Sequence, residues 1–292
     1  MSRKYLDDHI RKFDDISFLP GSASTAYDAG HEFHDRVDGT IYKNLGTKKH
    51  GSIYRSRANG MILEENFTQR PLLNADILIT ATAPTLAQMA LIFAANRNFE
   101  VAGTNMTSAL STHSTGGGIT LTTAGADEDQ ALLQPHTDTT QTSWATADFS
   151  TSDRVVMDTV IVTGADITAS IIHAGLKLTN DNVVATDAEQ AFVRYEAGVA
   201  SGVFQLITSD AGTDTTTATT VTVAASTSYH IKLAINGDRE VSLFINGVLA
   251  AHVAAAVGAG HDLIPFIGIE GSEAAAKALT VRHLDISKDF ND

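Results

Sequence analysis

Residues 229–253 read YHIKLAINGDREVSLFINGVLAAHV, and two more apolar runs follow, DLIPFIGIEG (262–271) and ALTVRHLDIS (278–287). Apolar and polar residues alternate through IKLAI and VSLFI, the period that puts one face of a strand in a core and the other in water. Two Asn-Gly pairs, Asn236-Gly237 and Asn246-Gly247, interrupt the runs. Asn-Gly supplies the positive φ angles of a two-residue hairpin turn, so both predict tight hairpins. The stretch therefore predicts an antiparallel β-sandwich and shifts attention from catalysis to recognition or assembly.

Working outward, the same pattern predicts strands at 118–123, 154–162, 170–178, 191–197, 202–208 and 220–224, about ten in all from Phe99 onward. Their spacing is that of a sandwich or jelly roll. The polar run SDAGTDTTTATT (209–220) reads as an exposed hairpin tip. Before this body, TLAQMALIFAANRN places Leu86, Met89, Ala90 and Phe93 at helical spacing after Pro84, which predicts a short connecting helix within 71–98. Residues 1–70 are polar and punctuated by glycine. A helical pattern runs through Tyr5, Leu6, Ile10 and Phe13 and stops near Pro20. DRVDGTIYKNLGTKKHGSIYRSR (35–57) reads as two or three short strands with too few apolar residues for a core of its own, so it either packs on the following domain or, the favoured reading, orders against a partner. The division is thus an N-terminal docking segment (1–70), a connecting segment (71–98) and a sandwich (99–292).

Charge supports that division. The 292 residues carry 20 Lys+Arg and 34 Asp+Glu, a formal net charge of −14. Residues 1–70 hold 11 basic and 10 acidic residues, leaving 9 and 24 for the remainder. An acidic body of this kind repels nucleic-acid phosphates, so no nucleic-acid partner is expected. No apolar run reaches the ~18 residues of a membrane span, and MSRKYLDDHIRKFDD lacks the apolar stretch of a secretory signal. With no cysteine there is neither a disulfide framework nor a thiolate metal site. Synthesis in a cytoplasm follows as the expectation.

NFEVAGTNM (98–106), GGITLTTAGADEDQALLQPH (117–136), IIHAGLKLTNDNVVATDAEQAFVRYEAG (171–198) and the closing strands together resemble structural proteins of tailed bacteriophages that carry a concanavalin A-like (LamG-like) jelly-roll domain. AGLKLTN, SLFINGVL and ALTVRHLDIS carry most of the likeness, which covers roughly 97–292. DGTIYKNLGTKKHGSIYRS is similar to docking or fibre-forming segments of virion proteins. The resemblance implies a place on the capsid exterior of a virion made in a host cytoplasm.

Sandwiches of this class include glycosidases, which need two carboxylates, about 5–5.5 Å apart in retaining enzymes. No strand carries acidic residues at alternate positions, and Asp158 stands alone in its run. Asp127, Glu128 and Asp129 read as a solvated hairpin tip, and Glu270 and Glu273 as loop residues about Gly271. No catalytic residue and no cofactor are expected. His31 and His34 would share a helical face, and His283 and Asp285 a strand face. Either pair gives two ligands where zinc takes three or four, so no metal is expected. Asp181 and Asp187 lack the Asp-x-Asp-x-Asp spacing of a calcium loop. Gly116, Gly117 and Gly118 precede a strand, not a helix, and read as a turn. No nucleophile elbow or Ser-His-Asp pattern is present. Trp144, the sole tryptophan, either stacks on a sugar or caps the sandwich edge.

The reading is a non-enzymatic virion protein, a capsid decoration or cement protein. Its partners would be the major capsid protein and further copies of itself, as a homodimer or homotrimer. Lys43, Lys48, Lys49, Arg55 and Arg57 would pair with the shell, and Tyr42 and Tyr54 would supply amphipathic contact area. The alternative is a tail fibre or receptor-binding protein that recognises a host-surface glycan.

Overall fold

The computed structural model describes residues 32–34, 41–44, 50–54, 60–73, 99–135, 149–179 and 187–289. The chain divides into two units, residues 1–62 with 287–292, and residues 63–286. In the first unit, β1 (Glu32–His34), β2 (Ile41–Asn44) and β3 (His50–Tyr54) form an antiparallel three-stranded sheet in that order. The expected helix within 71–98 and the helical pattern at 5–13 lie outside the described residues.

The second unit is a two-layer β-sandwich. Its first sheet draws on β5 (Leu72–Leu73), β6 (Phe99–Ala102), β9 (Gln130–Pro135), β10 (Phe149–Ser150), β12 (Ser170–Lys177), β13 (Gln190–Glu196), β14 (Val203–Asp210), β15 (Thr213–Thr222) and β19 (Asp262–Gly271). The order is β15-β14-β13-β12-β19-β9-β6-β5, with β10 also on β19. The second sheet draws on β4 (Gly60–Glu65), β7 (Ser111–His113), β8 (Ile119–Thr122), β11 (Val155–Thr163), β16 (Ser228–Ile235), β17 (Val241–Ile245), β18 (Val248–Val253) and β20 (Ala278–Asp289). Its order is β18-β17-β16-β11-β20-β8-β7, with β4 also on β20. β5 and β6 pair in parallel. The central neighbours β12–β19 and β11–β20 are distant in sequence, and the crossings they require make the topology a jelly roll.

Alternation drives the layering. β11, β16 and β17 bury every second residue, among them Val155, Met157, Ile161, Ile231, Leu233, Ile235, Val241, Leu243 and Ile245. Opposite them the first sheet offers Ile172, Ala174, Leu176, Val193, Leu206, Phe204, Ile267 and Ile269. Phe204 on β14 meets Tyr229 on β16 edge to face, with centroids 5.1 Å apart, which fixes these as the facing sides. Each such side chain taken from water stabilises the fold by about 1.5–3 kcal/mol before entropy is charged against it.

Three expectations are corrected. Residues 209–220 are not a hairpin tip: Ala211 and Gly212 make the turn, and 213–222 form the edge strand β15. Threonine is β-branched and favours a strand, while the burial pattern is mostly exposed because β15 has a neighbour on one side only. Asn236-Gly237 does not close a two-residue turn. The loop runs from 236 to 240, the Asn236 side chain accepts from the N–H groups of Asp238 and Glu240, and Arg239, not Gly237, takes the positive φ of 63°. Asn246-Gly247, at φ 52° and 78°, is the expected two-residue turn. Finally, fifteen strands lie from Phe99 onward among the described residues where about ten were expected, because short pieces such as β7 and β10 carry no readable period.

Candidate functional site

Of the expected docking residues, Tyr42 and Lys43 lie in β2 and Tyr54 in β3, where Tyr42 opposes Ile53 and Tyr54 opposes Ile41. Lys43 opposes Glu32 of β1. Lys48, Lys49, Arg55, Arg57 and Trp144 lie outside the described residues, as do His31 and Asp181. His34 is in strand β1, not a helix.

On the face of the nine-stranded sheet turned away from the second sheet, the registers assign rows of side chains. One row runs Gln205, Arg194, His173, Gly268 and Leu132 across β14, β13, β12, β19 and β9. The next runs Ile207, Phe192, Gly175 and Phe266, and a third Ser209, Gln190, Lys177 and Ile264. Leu132, Phe192, Ile207 and Phe266 form one apolar cluster. Phe192 meets Phe266 edge to face at 5.7 Å and His173 meets Phe192 at 5.6 Å. Lys177 places Nζ 5.1 Å from the centre of the Phe266 ring, a cation–π contact, and donates to Gln134 Oε1 at 3.3 Å. Gln134 Nε2 donates in turn to Glu100 Oε1 at 3.2 Å.

These side chains are buried, Phe266 at 0% exposure and His173 at 6%. Burial pushes the His173 imidazole down to about 3, with the positive charges of Arg194 and Lys177 adding to the shift, so the ring is neutral. Glycines make the packing feasible. A Cβ on Gly268 would lie 2.2 Å from Leu132 Cδ2, and one on Gly175 would lie 2.4 Å from Phe192 Cβ. The AGLKLTN phrase is thus a packing device. The outer face is filled by the chain's own aromatic and aliphatic groups.

Among the described residues, a further row of this face is half-open, as is Arg194 in the His173 row. Gln130, Glu270, Ile171 and Glu196 follow one another across β9, β19, β12 and β13, all half-buried. Glu270 is in a strand, not a loop as expected from Gly271. Burial pushes its carboxyl above the usual range, the negative charges of Glu128, Glu196 and Asp127 add to this, and a 2.7 Å bond from Gln130 Nε2 opposes it. Glu196 pairs with Arg194 at 3.4 Å. Two strand spacings, about 9–10 Å, separate the two glutamate backbones. No local motif announces this pair, since the residues are brought together only by β12 lying between β13 and β19.

Other carboxylates among the described residues are engaged within the fold, the buried ones at turns and loops. Asp129 is fully buried, not a solvated tip residue, and accepts from Ala126 N at 2.5 Å and from Asn105 Nδ2 at 2.6 Å; the Ala126 bond is the larger cause of its lowered pKa. Glu189 accepts from Gly258 N and Ala211 N, and Asp187 from Thr179 N and Oγ1. Asp158 bonds His230 Nε2 at 2.5 Å. Glu273 and Asp166 both bond the buried Lys277 ammonium. Gly116–Gly118 form a turn closed by Ser114 and Gly118, as the sequence implies. His283 and Asp285 share a face of β20, with Nε2 and Oδ2 3.1 Å apart.

No protein-family model matches the chain, and no curated protein matches it. Among solved structures it is similar to a protein of unknown function from Shewanella oneidensis MR-1, at 11% identity and a TM-score of 0.50, over 80% of this chain and 87% of that one. It is similar also to a Bacillus licheniformis beta-glucanase, at 7% identity and a TM-score of 0.48, over 77% and 97%. A third likeness is to the Emp47p carbohydrate recognition domain, at 9% identity and a TM-score of 0.48, over 82% and 100%. Identities this low speak to the fold alone. The chain has an antiparallel β-sandwich fold of jelly-roll type.

Proposed function

We propose that the chain is a non-enzymatic structural protein of a tailed-bacteriophage virion, a decoration or cement protein on the capsid exterior. The observation that carries the non-catalytic part is the filled outer face: Phe192, Phe266, Leu132 and His173 occupy the side turned away from the second sheet, and all are buried. The buried carboxylates Asp129, Asp187 and Glu189 support it, since each is engaged by backbone N–H groups of its own fold. The virion part rests on the resemblance of residues 97–292 to phage structural proteins. Residues 1–70 lie across neighbouring copies of the major capsid protein, with Lys43, Lys48, Lys49, Arg55 and Arg57 facing acidic groups of the shell. The acidic sandwich projects outward. Many copies on one lattice make individually weak contacts effective. Purified chain should cosediment with capsids lacking it and raise their temperature of opening; the triple change Lys43→Glu, Lys48→Glu, Lys49→Glu should weaken both effects.

A second reading, recognition of a host-surface glycan by a tail fibre, is favoured by the half-open row of Gln130, Glu270, Ile171 and Glu196. Planar polar side chains beside an apolar one are the groups that bind sugar hydroxyls and faces. A glycan array probed with the full chain tests it, and binding lost in Glu196→Gln or Glu270→Gln would support it over the cement role.

A further inference from the structure

We propose that Glu64, His283 and Asp285 form a site for a divalent transition-metal ion of the zinc class, joining β4 to β20 within the eight-stranded sheet. One ligand atom from each lies within 4.8 Å of the other two. The sequence shows only the His283–Asp285 pair, at alternating strand positions; the third residue comes from 219 positions earlier and is added by the pairing of β4 with β20.

Hydrogen bonding around Asn66 decides the chemistry. Asn66 Nδ2 donates to Glu64 Oε1 at 3.1 Å, and a carboxylate can only accept, so the amide orientation is fixed. Its oxygen then faces His283 Nδ1 at 2.9 Å, and that nitrogen must carry the hydrogen. The neutral imidazole therefore keeps its lone pair on Nε2, which stands 3.1 Å from Asp285 Oδ2. Two lone pairs at that distance need a cation between them, either a proton or a metal ion. Asp285 Oδ1 is buried and has no hydrogen-bond partner among the described residues, so the carboxylate has acceptor capacity to spare. The His283 backbone is held by Thr159 Oγ1 at 2.6 Å.

An imidazole beside two carboxylates suits zinc and its neighbours over calcium or magnesium, which prefer all-oxygen shells. Zinc–ligand distances of about 2.0–2.2 Å require the three atoms to draw together slightly. Glu64 is exposed and its long side chain supplies that movement. Asn66 touches both Glu64 and His283 and acts as the orienting partner behind the ligands, the arrangement metal-binding histidines adopt.

The test is calorimetric titration of zinc into full-length, tag-free chain freed of metal by chelator, repeated with cobalt while its visible absorption is recorded. One equivalent should bind. His283→Gln should weaken binding at least tenfold, and Asn66→Ala about tenfold or more. Excess calcium should not displace the ion, and His34→Ala should leave binding unchanged. If His283→Gln fails to fold, Glu64→Gln at an exposed position gives the same readout. Absence of saturable one-to-one uptake, or equal affinity in wild type and the His283 and Glu64 variants, would mean that only a proton bridges His283 and Asp285 and would overturn the proposal.

Discussion

A methyl group on Gly175 would lie 2.4 Å from both Cα and Cβ of Phe192, closer than any real contact. Gly175→Ala is therefore expected to destabilise the sandwich by about 1–3 kcal/mol, the usual cost of overpacking, as read from the urea midpoint. The pH dependence of stability belongs to this scale too. His173 is neutral in the folded chain, with a pKa of about 3, and ordinary at 6.5 when unfolded. Between those values the unfolded state binds the extra proton, so stability falls as pH drops below 6.5 and the loss is complete near 3. His173→Phe, which keeps a ring in the cluster, should flatten that decline in urea unfolding measured from pH 7 to 4. Lys277 works in the opposite chemical sense. Its ammonium, 2.7 Å from Asp166, is the first cause holding that carboxyl at about 2 against its usual 3.8. This contribution is present above 3.8 and vanishes as pH falls through 2. The stability gap between wild type and Lys277→Met should be constant above about pH 4 and narrow below it.

At the scale of elements, the two Asn-Gly pairs look alike in sequence and differ in structure. Gly247 has a φ of 78° in the two-residue turn between β17 and β18, whereas Gly237 sits in the loop whose positive φ falls on Arg239. Gly247→Ala should cost about 1 kcal/mol and Gly237→Ala much less, a contrast that chemical denaturation of the two variants resolves. The sandwich was readable because β11, β16 and β17 each bury one face and so keep a period of two. The outer face was not, because β12, β13 and β19 are buried on both sides and their rows join residues far apart in sequence, 95 positions from His173 to Gly268 and 136 from Leu132 to Gly268. The same physics hid the Glu196–Glu270 row and the contribution of Glu64 beside His283. β15 was missed because threonines exposed on an edge strand show no alternation, though their β-branching favours the strand.

For the whole molecule, charge and closure point the same way. Residues 71–292 carry a balance of −15 against +1 for residues 1–70, most of the described outer sheet face is buried, and the basic residues expected to meet a partner are gathered before residue 58. Such a chain suits attachment by one end with an acidic body facing solvent, which also keeps neighbouring copies from aggregating. Labelling virions with an antibody to the sandwich and imaging them by electron microscopy tests this most directly. A cement protein gives label distributed over the head surface, at many copies per particle. Label confined to the tail tip, or absent from virions altogether, would contradict it.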